Sequence, residues 1–247
     1  MTVLAEFETL DAHTVTNIIQ MRTKALLLAA AFAAAGVATS SAQVYSVNAV
    51  GYVNVQLSPG FNMVSNPLDA GTGNNTVAKL FANIQGGVPT GLRVYTLDES
   101  AGTFRTAATY LPGVGFSPAA SANVEVAPGS GAFVFNPNAA GSNPLTLTFV
   151  GQVMQGNLSN PLPAGFSIKA NQVPQAGKPD TFGLPGTTGD KIFRFNKATG
   201  LYFTPSTFAG GQWIPPTPSI DVGEAFFLFR ASGAGTWTRT FNVNNPS

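Results

Sequence analysis

The 247-residue sequence contains no cysteine and a single histidine, His13. Those absences exclude disulfides, zinc sites built on thiolate or imidazole, and a serine or cysteine nucleophile paired with a histidine base. A lipid anchor carried on cysteine is excluded too. Charge is scarce, at 9% of residues with a formal net charge of +1. Nucleic-acid binding needs a concentrated basic footprint, and the few lysines and arginines here are scattered. No G-x-x-x-x-G-K-[ST] loop is present for phosphates, and Gly129-Ser130-Gly131 does not fit the G-x-S-x-G elbow of a serine nucleophile.

What is present begins with an address. Met21-Arg22-Thr23-Lys24 is a short basic start, Ala25 to Ala35 is an apolar run, and Ser40-Ser41-Ala42 offers small residues at a cleavage site. That order is a secretory signal, and its apolar run is too short to span a bilayer. Residues 21–42 are therefore expected to be removed, leaving Gln43 first. Residues 1–20 read as an upstream start-codon extension. The mature chain then has no histidine, with ten basic and eight acidic side chains, a net charge of +2 by subtraction. It is expected to be secreted, to a periplasmic, cell-surface or extracellular address, with no membrane span.

The rest of the chain says one thing twice. Val50-Gly51-Tyr52-Val53 and Gly60-Phe61-Asn62-Met63 are echoed by Val150-Gly151-Gln152-Val153 and Gly165-Phe166-Ser167-Ile168. Val94-Tyr95-Thr96-Leu97-Asp98 matches Ile192-Phe193-Arg194-Phe195-Asn196, and Gly129-Ser130-Gly131-Ala132-Phe133 matches Gly223-Glu224-Ala225-Phe226-Phe227. Thr148-Phe149 returns as Thr240-Phe241. Blocks repeated in one order predict two copies of a β-rich unit, residues 43–150 and 151–247.

Within each copy the local signals are strand, turn, strand. Leu92 to Leu97 is rich in strand formers and stops at a loop ending in Gly102; Lys191 to Phe195 does the same before Gly200. Both glycines sit where a hairpin loop requires positive φ. The runs Ala132 to Phe135 and Ala225 to Phe229 predict strands buried on both faces, with most of Phe133, Phe135, Phe149, Phe227, Phe229 and Phe241 inside. One short helix is expected in the first copy, capped by Asn75, with Val77, Leu80, Phe81 and Ile84 on one face. Residues 111–127 and 209–219, rich in Pro and Gly, read as loops or edge segments. The expected fold is all-β: two tandem, related sandwich- or barrel-like units, packed together because the Asn160-Pro161-Leu162-Pro163 joint is short and stiff.

The VG-x-V opening, the G-F-x-[MI]-x-x-N block and the G-E-A-F-F block resemble those of exported bacterial β-repeat proteins, over Val50 to Val243. The resemblance implies export and a two-unit β fold. It carries no activity, substrate or catalytic residue.

The remaining chemistry is thin. Asp98-Glu99 is the one adjacent carboxylate pair, and neighbours on a hairpin point apart, which argues against a calcium loop. Paired carboxylates drawn from Glu125 or Glu224 with an aspartate are the one catalytic scheme open, that of a glycoside hydrolase. The candidate ligand-contacting aromatics are Tyr110, Tyr202, Trp213 and Trp237, although the repeat sets both tryptophans at positions apolar in both copies, a pattern of core residues. No cofactor, metal or catalytic residue is expected. The leading expectation is a secreted non-enzymatic structural or surface-associated protein that self-associates or meets a matrix polymer through β edges. The alternative is a secreted glycan-binding module.

Overall fold

The structure is a computed structural model describing residues 49–244. The expected signal segment, 21–42, the expected start-codon extension, 1–20, and His13 lie outside the described residues. Within them the chain is all-β, in antiparallel sheets with two one-turn α-helices.

The first nine strands are β1 (Val50–Leu57), β2 (Gly60–Ser65), β3 (Arg93–Tyr95), β4 (Leu97–Asp98), β5 (Thr103–Phe104), β6 (Ala108–Leu111), β7 (Gly115–Ser117), β8 (Gly131–Asn136) and β9 (Leu145–Gln152). The next nine are β10 (Gly156–Leu162), β11 (Gly165–Lys169), β12 (Lys191–Phe193), β13 (Phe195–Asn196), β14 (Leu201–Tyr202), β15 (Ser206–Ala209), β16 (Gln212–Ile214), β17 (Phe226–Arg230) and β18 (Gly235–Phe241). The two sets pair in the same way. Each has a five-stranded sheet, β2-β8-β3-β6-β7 and β11-β17-β12-β15-β16. Each has a long two-stranded ribbon, β1-β9 and β10-β18, and a short hairpin, β4-β5 and β13-β14. Gly102 and Gly200 close those hairpins with φ of 68° and 71°, a region open to glycine because it lacks Cβ.

Alternation along the strands builds the layers. In the first sheet Val64, Val94, Ala108, Ala132 and Val134 point to a core shared with Leu57 and Leu147 of the ribbon. In the second, Ile192, Phe226 and Leu228 meet Leu162 and Trp237 of theirs. Each unit is thus a small sandwich of sheet and ribbon. Helix α1 (Val77–Leu80) plugs the first core, and Val77, Leu80, Phe81 and Ile84 are all buried. The edge segments β7 and β16 come from the two Pro/Gly-rich stretches.

Several expectations are corrected. Thr76, not Asn75, is the N-cap of α1, and it makes no side-chain capping bond. Asn75 is drawn into a buried network, accepting from Asn66 Nδ2 at 3.0 Å and donating to Asp69 at 2.7 Å. A second helix, α2 (Ala119–Ala122), forms inside the stretch read as loop. The Val150-Gly151 echo does not open the second set. It lies in β9 and pairs with the first, Gly51 opposite Gly151. Of the six core phenylalanines, Phe133, Phe149 and Phe241 are buried, while Phe135, Phe227 and Phe229 are half-buried. Strands with one fully enclosed face account for the split.

The two sheets meet end to end. Ser65 N–H donates to Gly223 O at 2.9 Å, and Ala170 N–H donates to Gly129 O at 3.0 Å. A Cβ on Gly131 would lie 2.5 Å from the Ala225 Cβ and 2.8 Å from Val64 O, so this junction is closed by the lack of a side chain.

Candidate functional site

The faces of the two sheets turned away from their cores carry rings. Phe61, Phe135 and Arg93 are cross-strand neighbours on the first sheet, and Phe166, Phe229 and Lys191 hold the same register on the second. One row further in lie Met63, Phe133 and Tyr95, matched by Ile168, Phe227 and Phe193. The two rows join across the junction, where Phe133 and Phe227 have centroids 5.8 Å apart. Residues from the hairpins complete the seam: Phe104 contacts both of these rings, Phe195 meets Phe133, and Tyr202 meets Phe227. Ring-to-ring contact is unbroken from Phe61 to Phe166.

The seam is wet on one side. Phe61, Phe104, Phe166 and Tyr202 are 43–45% exposed, unusual for rings in a protein that buries Phe81, Phe149 and Phe226 completely. Its rings are tilted or edge-to-face, with interplanar angles of 44° to 90° within the seam. Edge-to-face packing satisfies the ring quadrupoles, but it leaves no coplanar platform for stacking a sugar. Arg93 lies over Phe135 at 5.7 Å. Burial pushes the Tyr202 phenol above its ordinary pKa, so the seam's hydroxyl there stays neutral.

Two clefts flank the junction. The first, about 420 Å³, is lined by Asn54 and Gln56 of β1, by Arg194, Asn196 and Phe203, and by the loop carrying Asp221 and Glu224. Arg194 forms a two-pronged pair with Glu224, at 2.7 Å through Nε and 3.0 Å through Nη2, and sits over Phe203 at 5.6 Å. Glu224 raises the Arg194 pKa, chiefly through this hydrogen bonding. The second cleft, about 350 Å³, is lined by Asp98, Glu99, Arg105, Glu125 and Lys169. There the buried Lys169 ammonium meets Glu99 at 2.9 Å, joining the β4-β5 hairpin to β11.

Of the carboxylates singled out in the sequence, Asp98, Glu99 and Glu125 line the second cleft, while Glu224 lines the first beside Asp221. Asp98 Oδ1 accepts from the Ser100 hydroxyl and from the Ser100 and Ala101 N–H groups, while Oδ2 pairs with Arg105 at 2.9 Å. The Ser100 hydroxyl, then the Ala101 N–H and Arg105, hold its pKa below the ordinary carboxylate range. A turn-capping aspartate tied in this way is ionised near neutral pH and has no proton to donate. Glu224 is occupied by Arg194 and by the Asp221 N–H.

Of the four candidate aromatics, Tyr202 alone joins the seam. Trp213 and Trp237 are core residues, 7% and 4% exposed, and the Trp237 indole donates to Phe182 O at 2.7 Å. Tyr110 packs on Phe116 near the far edge of the first sheet. Phe61, Phe104 and Phe166 were missed because each stands between glycine or polar neighbours, and alternation alone does not mark which face is covered. The mark available was Gly60-Phe61 and Gly165-Phe166, which set a ring at the start of the edge strands β2 and β11. Among the described residues no group of three or more His, Cys, Asp or Glu could hold a metal ion, and no helix is long and apolar enough to cross a membrane. No family model, curated protein or solved structure matches this chain.

Proposed function

We propose that this is an exported, non-enzymatic structural or surface-associated protein built from two copies of one β unit, working by contact through the aromatic seam. The observation that carries the reading is the seam's exposure. Four half-exposed rings, Phe61, Phe104, Phe166 and Tyr202, grouped around the buried Phe133, are costly to keep in water and mark an interaction site. The signal-like residues 21–42 support an address outside the cytoplasm. The non-catalytic reading draws support from the carboxylates, since Asp98 and Glu224 are each held by basic or N–H partners.

The test is co-sedimentation of the purified chain with envelope fragments, for wild type and for Phe61→Ser with Phe166→Ser. Both rings stand on edge strands and half-exposed, so the double variant should fold. Wild type is expected to sediment and the variant to stay in solution. Equal sedimentation of the two removes the seam from function.

A second reading, a secreted glycan-binding module, draws on the first cleft. Its side chains are charge-balanced (Arg194 and Lys197 against Asp221 and Glu224), amide-rich and bordered by Phe203. Chemical-shift changes confined to Asn54, Asn196 and Phe203 on adding soluble glycans would move this reading first. Turnover of a polysaccharide, abolished by Glu224→Gln or Asp98→Asn with the fold intact, would establish the hydrolase alternative instead.

A further inference from the structure

The two ribbons have the same pairing but unequal edges. In an antiparallel ladder a residue's N–H and C=O point the same way, so alternate residues face the partner strand and the intervening ones face outward. Thr148 N–H donates to Asn83 O, and Thr146 O accepts from Gln85 N–H, so even-numbered residues of β9 face away from β1. Register then fixes β1. Gly51, Val53 and Val55 bond to β9, while Val50, Tyr52, Asn54 and Gln56 present their main chains outward. The Gln56 carbonyl does point out, accepting from Lys197 Nζ at 3.2 Å. Segments at Asp69 and Asn83–Gln85 cover the outer edge of β9. No described group hydrogen-bonds to the outward main chain of β1 at Val50, Tyr52 or Asn54, although the Asn54 end borders the first cleft.

That edge is guarded at one end only, where Lys197 takes the Gln56 carbonyl, and from Val50 to Asn54 it carries none of the usual guards. Natural sheets blunt free edges with proline, charge or a bulge, because an open edge templates pairing with another chain. Val50-Gly51-Tyr52-Val53-Asn54-Val55 has no proline and no charge, and its pairing with β9 is regular over eight residues. β10 shows what a guarded edge looks like in the same fold. Its outward positions include Pro161, which has no N–H, and Ser159, whose carbonyl is taken by Gln172 Nε2 at 3.2 Å.

We propose that β1 pairs with β1 of a second copy, antiparallel, making a continuous sheet β9-β1-β1-β9 across a two-fold axis. The edge suits its own copy. A neutral strand meets a neutral strand without like-charge repulsion, and a two-fold at Val53 sets Tyr52 of each copy beside Asn54 of the other. A closed pair also consumes both open edges, the isologous arrangement common to homodimers. Tyr52 and Val50, 73% and 68% exposed, lie on the outer face of the joined sheet beside Val150. The contact is small, so association is expected to be concentration-dependent rather than permanent. This deepens the contact reading by naming the partner and the edge, and it uses residues outside the aromatic seam.

The test is sedimentation equilibrium of the purified chain over a wide concentration range, with Tyr52→Lys and Asn54→Pro as variants. Asn54 N–H faces outward, so proline there spares the β9 ladder, and Tyr52→Lys guards the edge by charge alone. Wild type should move from monomer to dimer as concentration rises. Both variants should remain monomeric, with circular dichroism and melting close to wild type. If Asn54→Pro does not fold, Tyr52→Lys decides the matter. Wild type that stays monomeric up to its solubility limit overturns the proposal, as does a folded Tyr52→Lys that still dimerises. Phe61→Ser with Phe166→Ser should leave dimerisation unchanged. Loss of dimer in that variant assigns association to the seam instead.

Discussion

At the outer end of each central strand pair the two halves solve one packing problem with opposite chemistry. In the first, Asn136 is fully buried opposite Gly60 and donates to Leu57 O at 3.0 Å, with the apolar Leu92 nearby in the ladder. At the equivalent register the second half has Arg230 opposite Gly165, and Asp190 in place of Leu92. Asp190 is fully buried and accepts N–H bonds from Thr187 and Ala231 at 2.9 Å. Arg230 Nε lies 3.4 Å from Asp190 Oδ2, close enough to neutralise it but too poorly aligned to count as a hydrogen bond. One strand order therefore tolerates an apolar-amide core and an ionic one. The topology is set by main-chain pairing and apolar alternation, and the charges are local substitutions upon it.

Breaking the ionic version should give the largest effect. Arg230→Ala leaves Asp190 buried without its counter-charge and should cost about 3–5 kcal/mol in urea unfolding. Transplanting the first half's solution, Asp190→Leu with Arg230→Asn, should recover most of that loss. A double variant no more stable than the single one would mean the two positions are not interchangeable.

The second comparison is between neighbours. Phe226 is enclosed by the second core and Phe227 belongs to the seam, so Phe226→Ala should lose about 3–5 kcal/mol and Phe227→Ala distinctly less. Equal losses would make the seam a core rather than a contact surface.

A third variant probes the junction. Gly131→Ala drives a methyl against Ala225, Ile168 and Val64 O, an overpacking expected to cost about 1–3 kcal/mol. Exchanging the pair, Gly131→Ala with Ala225→Gly, should restore stability if the halves are related by a local two-fold. Additive losses would break that symmetry.

The smallest effect is acid loosening of a single hairpin. Asp98 has a depressed pKa when folded, so its contribution is present above the unfolded value of about 3.9 and fades as pH falls through the lower folded one. Asn196 takes that position in β13 and does not titrate. On acidification below about pH 4, the amide resonance of Gly102, which donates to Asp98 O at 2.8 Å, should move while that of Gly200 stays. Movement of both would trace to a global change.

Much of the architecture was legible because its causes are local. Glycine at 102 and 200, proline in the edge stretches and the strand formers of Leu92 to Leu97 each act within a few residues. Asn75 was misassigned as a cap because its partners, Asn66 and Asp69, are brought to it by a turn that propensity does not describe. Tyr202 was found and Phe61, Phe104 and Phe166 were not, since a phenylalanine beside a strand run looks like core whichever face it takes.

By itself the sequence determined an all-β chain, the turns that punctuate it, and an inventory with no thiol and a single imidazole, because these follow from residue types and short spacings. Only the tertiary structure decided that Val50-Gly51 pairs with Val150-Gly151, that both tryptophans are enclosed, and that the rings of two sheets merge into one exposed seam. It also decided that β1 is open from Val50 to Asn54 where β10 is guarded. A strand's alternation defines two faces and two edges, but which of them is covered depends on segments tens of residues away, and folding alone brings those together.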